Sequence, residues 1–357
     1  MQLNRAARRR QTTGPGPDRR LLRRRGLLAG TVAAAGVVGA GLAQHRAVRQ
    51  GRTRAAGVDR RQAGLALPSD VVHHRIDTDD GGVVHAVERG TGRPLVLVHG
   101  VTLAADIWGL QLASLADRHR VVAVDLRGHG QSVPGRDGFG DGVRRLAADV
   151  RQLLDALDLE GAVLVGHSLG GMTALQLVLD AEPAWLARRL AALALVDTSA
   201  EPLAGVRGAR LTRGPLTASL SRVLLLAERA GLAAVPSTDL GWWAARGAFG
   251  ADPDPCHVAF TESIGHATPL ATVAGLLGPL ASFDVADRLG AIELPTLVVV
   301  GTHDHLTPPR HARRLADGIP HAELVELPRA GHMPMLERPG ELARLLTDLA
   351  DRATVGA

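Results

Sequence analysis

From about Asp70 onward the chain alternates short, apolar, strand-like runs with helix-patterned stretches, and few architectures accept that order. Val83–Glu88 and Pro94–His99 read as strands separated by the turn-rich Arg89-Gly90-Thr91-Gly92-Arg93. Val121–Asp125 is a further β-branched run, followed by the glycine-rich Arg127-Gly128-His129-Gly130. Val143–Leu157 places Val143, Leu146, Val150, Leu153, Leu154 and Leu157 at helical spacing. Ala162–Gly166 reads as a strand and Gly170–Leu179 as the helix after it. Strands recur at Ala192–Val196, Thr296–Val300 and Glu323–Leu327, and an amphipathic helix near Gly340–Leu349 closes the pattern. This order implies an α/β fold, with a mostly parallel central sheet flanked by helices on both faces. Between Ser199 and about Phe283 the alternation stops, and the stretch, rich in Leu, Ala, Gly and Pro, reads as a helical insertion. Three segments follow: residues 1–61 ahead of the fold, a core of 62–200 and 286–357, and an inserted cap of 201–285.

The charge is unevenly spread. All 41 basic residues are arginine, so Schiff-base chemistry at a lysine is excluded. Residues 1–61 carry a net +13, which leaves −8 on the rest of a chain whose total is +5. A nucleic-acid partner would want basic residues organised on the folded surface, often beside aromatic stacking partners, and none is expected. The lone Cys256 allows no intramolecular disulfide and no cysteine-based metal cluster.

Arg19, Arg20, Arg23, Arg24 and Arg25 lead into an uncharged run of 18 residues, Gly26–Ala43. As a helix it would be about 27 Å long, close to the thickness of a bilayer's hydrocarbon core. Gly41-Leu42-Ala43 suits a signal-peptide cleavage site, and Arg24-Arg25-Gly26-Leu27-Leu28 resembles a twin-arginine export signal. A cleaved signal and an uncleaved anchor with the N-terminus inside are both open readings. A third is a downstream non-AUG start, since no methionine lies between Met1 and Met172. Localisation is accordingly exported or membrane-anchored, with association through residues 26–43, or cytoplasmic under the third reading.

The chemistry centres on Gly166-His167-Ser168-Leu169-Gly170, which fits the G-x-S-x-G nucleophile elbow. The strand run Ala162-Val163-Leu164-Val165 lies directly before it, and a helix lies directly after. A serine in so tight a turn needs small residues two positions away on either side, and Gly166 and Gly170 supply them. The following helix N-terminus offers free N–H groups to a developing negative charge.

Together with the strand and turn Leu95-Val96-Leu97-Val98-His99-Gly100, the elbow resembles the α/β-hydrolase fold family, and the resemblance covers essentially everything from about residue 71 onward. It implies an oxyanion hole from the backbone N–H groups of Val101 and Leu169. Asp125-Leu126-Arg127-Gly128-His129-Gly130-Gln131-Ser132 matches the family's D-x-R-G-x-G-x-S signature, read as a turn-shaping element. Gly301-Thr302-His303-Asp304-His305-Leu306-Thr307-Pro308 resembles G-x-x-D-x-x-x-P, which implies Asp304 as the acid, with Asp197 after the preceding strand as the alternative. Ala330-Gly331-His332-Met333-Pro334 resembles the loop of the catalytic histidine, His332.

These assignments imply a serine hydrolase in which Ser168 attacks, His332 takes its proton, and Asp304 holds the imidazole. Serine at the elbow argues against dehalogenase and epoxide-hydrolase branches, which use aspartate there. A carboxylic ester of a small, apolar acyl compound is the leading substrate. Amide or carbon–carbon cleavage and perhydrolysis are the enzymatic alternatives, and a ligand receptor on this fold is the non-enzymatic one. Trp108, Trp242 and Trp243 are candidates to line an apolar acyl pocket, with a place in the core as the alternative reading. No cofactor and no metal are expected, His303 and His305 being read as solvated loop residues.

Overall fold

The computed structural model describes residues 43–60, 63–202, 215–231 and 238–353. The apolar run 26–43 therefore lies, apart from Ala43, outside the described residues. The chain divides into Met1–Gln50 and Gly51–Ala357, and in the first unit residues 43–50 are helical.

The second unit is built on eight strands: β1 (Val72–Asp77), β2 (Val83–Arg89), β3 (Arg93–Val98), β4 (His119–Asp125), β5 (Ala162–His167), β6 (Leu190–Val196), β7 (Thr296–Gly301) and β8 (Glu323–Leu327). They form one sheet in the order β1-β2-β4-β3-β5-β6-β7-β8. β2 runs antiparallel to both β1 and β4, and the remaining pairs are parallel. Parallel strands buried on both faces read as unbroken apolar runs, which is why Leu95–Val98, Ala162–Val165 and Leu297–Val300 announce themselves in the sequence. Alternate side chains sort to opposite faces. Val96, Val98, Leu164, Leu193, Leu195, Val298 and Val300 join the core formed with the helices Val143–Ala156 and Leu169–Asp180. Leu97, Val163, Val165 and Val299, of the opposite parity, are equally buried. The helix Pro339–Arg352 packs against β6 and against the helix Gly109–Leu115.

Two features differ from the sequence expectation. β1 was not legible because it is an exposed edge strand with three polar or charged residues in His73-His74-Arg75. The second unit starts at Gly51, and two arginines of the segment expected to lie ahead of the fold make contacts within it. The Arg52 guanidinium donates to Glu262 Oε1 at 2.7 Å, and Arg60 lies over the Phe260 ring at 5.8 Å.

Between β6 and β7 the described cap residues form the helices Pro215–Arg229, Asp239–Gly247, Pro255–Ala267 and Leu270–Ser282. They pack in pairs, the first with the fourth and the second with the third. Among the described residues no single helix is long and apolar enough to cross a membrane. The strand register aligns Val98 with Gly166, Gly166 with Leu195, and Val196 with Val299. The loops after β3, β5, β6, β7 and β8 thus emerge along one edge, the edge at which open parallel sheets place ligands.

Candidate active site

The elbow forms where β5 ends and a helix begins one residue later. Ser168 is held at φ +52°, ψ −116°, a left-handed conformation that costs a non-glycine residue free energy and persists only where its surroundings enforce it. Two contacts enforce it: the Ser168 N–H donates to Val196 O at 3.0 Å, and Thr198 Oγ1 donates to Ser168 O at 2.7 Å. The flanking glycines are required by space. A Cβ at Gly166 would come within 2.6 Å of Gly171 Cα, and one at Gly170 within 2.7 Å of His99 O.

The second close approach ties the elbow to the loop after β3. His99 Nδ1–H donates to Gly100 O at 2.7 Å, and its Nε2 accepts the Leu126 N–H at 3.0 Å. His129 Nδ1–H donates to Arg127 O at 3.1 Å, and its Nε2 accepts the Thr102 N–H at 3.2 Å. Each ring therefore carries its proton on Nδ1, and burial keeps both neutral, pushing His129 down to about 3. With Thr102 N–H occupied, the N–H groups of Val101 and Leu169 are left, among the described residues, without acceptors. Sequence reasoning missed His99 and His129 as supports, although both stand inside the motifs His99-Gly100 and Arg127-Gly128-His129-Gly130.

Arg127 fixes the next turn from beneath. It is fully buried, and its guanidinium spans Asp80, with Nη1 to Oδ2 at 2.7 Å, and Asp149, with Nε to Oδ2 at 2.7 Å. Asp125 accepts the Ala105 N–H at 2.7 Å and the Gln131 N–H at 3.0 Å, and Ser132 Oγ donates to Asp125 O at 2.6 Å. The D-x-R-G-x-G-x-S segment is thus a structural clamp.

The loop after β7 carries Asp304 and the loop after β8 carries His332. His332 Nδ1 donates to Asp304 Oδ2 at 2.8 Å. Asp304 Oδ2 also accepts from Thr307 Oγ1 at 2.6 Å, while Oδ1 accepts the N–H groups of Leu306 at 2.7 Å and Thr307 at 3.0 Å. Burial alone would raise the Asp304 carboxyl, but the His332 charge and these hydrogen bonds outweigh it and hold the group below the usual carboxylate range. The histidine backbone is pinned as well, its N–H on Ala248 O at 2.7 Å and its carbonyl accepting from His167 Nε2 at 2.8 Å. Glu337, which sequence reasoning did not single out, accepts the Gly331 N–H at 2.8 Å, the Met333 N–H at 3.3 Å and the Gly250 N–H at 2.8 Å.

Asp197 lies beside this pair. One atom each of Asp197, Asp304 and His332 fall within 4.8 Å of one another, a spacing that suits a metal ion, although His332 Nδ1 and Asp304 Oδ2 are engaged with each other. His303 and His305 are exposed.

Ser168 and His332 both open on a cavity of about 670 Å³, which also reaches Gly100, Val101 and Thr307. The cap closes it with Leu224, Leu240, Ala244, Leu270, Val273 and Leu277. The three tryptophans do not line it. Trp108 is fully buried in the core beside His167, Trp242 is buried beneath Gly51 and Arg52, and Trp243 is exposed. Aliphatic side chains take the place expected for aromatic ones.

Residues 93–339 match the family described as alpha/beta hydrolase fold. The chain belongs to the α/β-hydrolase family. This α/β-hydrolase is 35% identical over 266 residues to a putative carbamate hydrolase, RutD, of Variovorax paradoxus, a match that spans 74% of this chain and 93% of that protein. It is 30% identical over 279 residues to a non-heme chloroperoxidase of Streptomyces lividans, covering 70% of this chain and 93% of the relative. Among solved structures it resembles a thermophilic esterase from Thermogutta terrifontis, with a TM-score of 0.65 and 28% identity, over 79% of this chain and 99% of the esterase.

Proposed function

We propose that this α/β-hydrolase is a serine hydrolase that cleaves carboxylic esters through an acyl-enzyme, with Ser168 as nucleophile, His332 as general base and Asp304 as its partner. The observation that carries this reading is the 2.8 Å bond from His332 Nδ1 to Asp304, which leaves Nε2 for the cavity that the strained Ser168 also enters. Among the described residues Ser168 Oγ makes no hydrogen bond to the ring, a contact that in many free enzymes tightens only in the substrate complex. As Ser168 Oγ attacks the ester carbonyl, its proton passes to His332 Nε2, and Asp304 stabilises the imidazolium without taking the proton. The negative charge on the carbonyl oxygen is met by the N–H groups of Val101 and Leu169, which need no reorganisation to receive it. His332 then protonates the departing alcohol, and water, deprotonated by the same ring, releases the acid.

The aliphatic cap lining supports a small, apolar acyl group. Similarity to proteins named esterase and carbamate hydrolase supports a carbonyl substrate with a heteroatom leaving group. A panel of p-nitrophenyl esters of graded acyl length, run beside a p-nitrophenyl carbamate, tests the reading: esters should give the higher kcat/KM, with an optimum in chain length. A carbamate preferred over every ester would replace it.

The export or anchoring reading of residues 26–43 rests on the arginine cluster that abuts this uncharged run. On it, the enzyme works at or beyond a membrane.

A further inference from the structure

Asp197 has no part in the chemistry above, yet its position is unusual. It follows β6 at φ +43° and is wholly buried. Its N–H donates to Val299 O at 2.9 Å, and its Oδ1 accepts the Gly301 N–H at 2.9 Å. Its Oδ2 is buried and receives no donor among the described residues. An ionised carboxylate oxygen in that state would carry charge out of water with nothing to offset it.

The neighbours make ionisation still less favourable. From the loop after β7 comes Asp304, whose carboxylate is held ionised by His332 and Thr307. From the short helix Pro334–Glu337 comes a second negative group, Glu337. His332 faces the pair, but its Nδ1 is committed to Asp304. His167 is kept neutral by burial, and His311, on the helix Pro309–Gly318, is engaged with Ser199 Oγ at 2.9 Å and Glu201 at 3.4 Å. Burial first, and then the Asp304 charge, push the Asp197 carboxyl well above the usual carboxylate range. A proton on Oδ2 resolves both difficulties, since it removes the second charge and turns an orphaned acceptor into a donor beside Asp304, the two carboxylates having oxygens within 4.8 Å of each other.

We propose that Asp197 is a positioning residue that keeps its proton throughout the catalytic cycle and donates it in a hydrogen bond to the Asp304 carboxylate. Asp304 is then gripped from a further side, which fixes the carboxylate against the His332 ring while leaving one negative charge, not two, beside the imidazole. The role rests on the proposed Ser168–His332–Asp304 assignment.

The test uses the full chain and pH–rate profiles on one p-nitrophenyl ester. Asp197→Ala removes the donor and should lower kcat by about 10- to 100-fold, the rate equivalent of a hydrogen bond to a charged group, with KM little changed. Asp197→Asn restores a neutral donor, so it should recover the larger part of that loss. It should also leave the acid limb of kcat/KM where it lies in the wild type, because no charge has been removed. An acid limb that drops by about one pH unit in Asp197→Asn would mean that Asp197 is ionised, and would overturn the proposal. Asp197→Ala with wild-type kcat would overturn it too. Difference infrared spectra supply a readout independent of turnover: the wild type at neutral pH should show a protonated-carboxyl C=O stretch that Asp197→Asn lacks. An absent band sinks the proposal even if Asp197→Ala fails to fold. If the wild type turns over no ester, the ester-hydrolase reading falls, and the band still decides where the proton is.

Discussion

Asp304 and Asp197 stand at the ends of adjacent strands, each with an oxygen within 4.8 Å of a ring nitrogen of His332, and only Asp304 is hydrogen-bonded to that ring. The difference follows from the loops. The turn after β7 aims two backbone N–H groups and Thr307 Oγ1 at Asp304, so its charge is compensated, whereas Asp197 receives the Gly301 N–H alone. Asp304→Asn should therefore lower kcat by about 10⁴-fold, as loss of the orienting acid does in serine proteases, and Asp197→Asn by far less. Steady-state kinetics on both variants check this. The reverse ranking would make Asp197 the acid.

A second expectation concerns stability. An unfolded Asp197 titrates near 3.9, and its folded value is raised. Between those values folded Asp197 holds a proton that the unfolded chain has released, so its contribution to stability falls as pH rises, by about 1.4 kcal/mol per unit. Asp304 is shifted the other way; its contribution is present above about pH 4 and is lost only on further acidification. Buried histidines such as His99, His129 and His167 also contribute between pH 5 and 8, but they are common to the wild type and Asp197→Asn, so the difference between the two isolates the Asp197 effect. Urea unfolding should show Asp197→Asn gaining on the wild type as pH rises across that range, and a difference that is constant or shrinks would contradict the assignment.

Much of this was legible in advance, for reasons that differ from residue to residue. β3, β5 and β7 are buried on both faces, so their apolar runs could be read without partners, whereas β1 is an edge strand whose exposed His-His-Arg segment carries no such signal. Ser168 and His332 sit in turns that require glycine neighbours, and such turns leave a local trace. Between Asp197 and Asp304 the only trace was the resemblance of Gly301–Pro308 to a family motif, since both follow strands at the same sheet edge and the bonding that separates them is three-dimensional. The tryptophans misled because aromatic size suggests a pocket wall, while the cap folds so that Trp242 is covered by Gly51 and Arg52 and aliphatic residues face the cavity. Which side of a cap helix faces the site is set by the packing of helices on one another, which periodicity within one helix does not encode.

The buried arginine beneath the site gives a third expectation. Arg127→Met would leave Asp80 and Asp149, each nearly inaccessible to solvent, without their shared cation, although Asp149 retains Arg145 at 2.7 Å. Breaking a buried pair in this way costs about 3–5 kcal/mol. Chemical denaturation should show a loss of that order, and a loss below about 1 kcal/mol would mean that the clamp is dispensable.

The N-terminal reading makes a separate expectation. Replacing Arg24 and Arg25 with lysine preserves charge, so electrostatic positioning should survive, while a receptor that reads the arginine pair should discriminate. Cell fractionation should find the double-lysine protein retained in the cytoplasm and the wild type exported. Equal export of both would eliminate the twin-arginine reading and leave a general signal or anchor. A wild type found wholly in the soluble cytoplasm would eliminate all of these.

The central claim is that Ser168 is an activated nucleophile, and covalent labelling tests it most directly. After treatment with a fluorophosphonate, intact mass should show one adduct per chain, peptide mapping should place it on Ser168, and ester turnover should be lost in step with labelling. Ser168→Ala should fold, since alanine suits the elbow at least as well as serine, and should neither label nor turn over ester. Labelling at another residue, or ester turnover that survives in Ser168→Ala, would contradict the account.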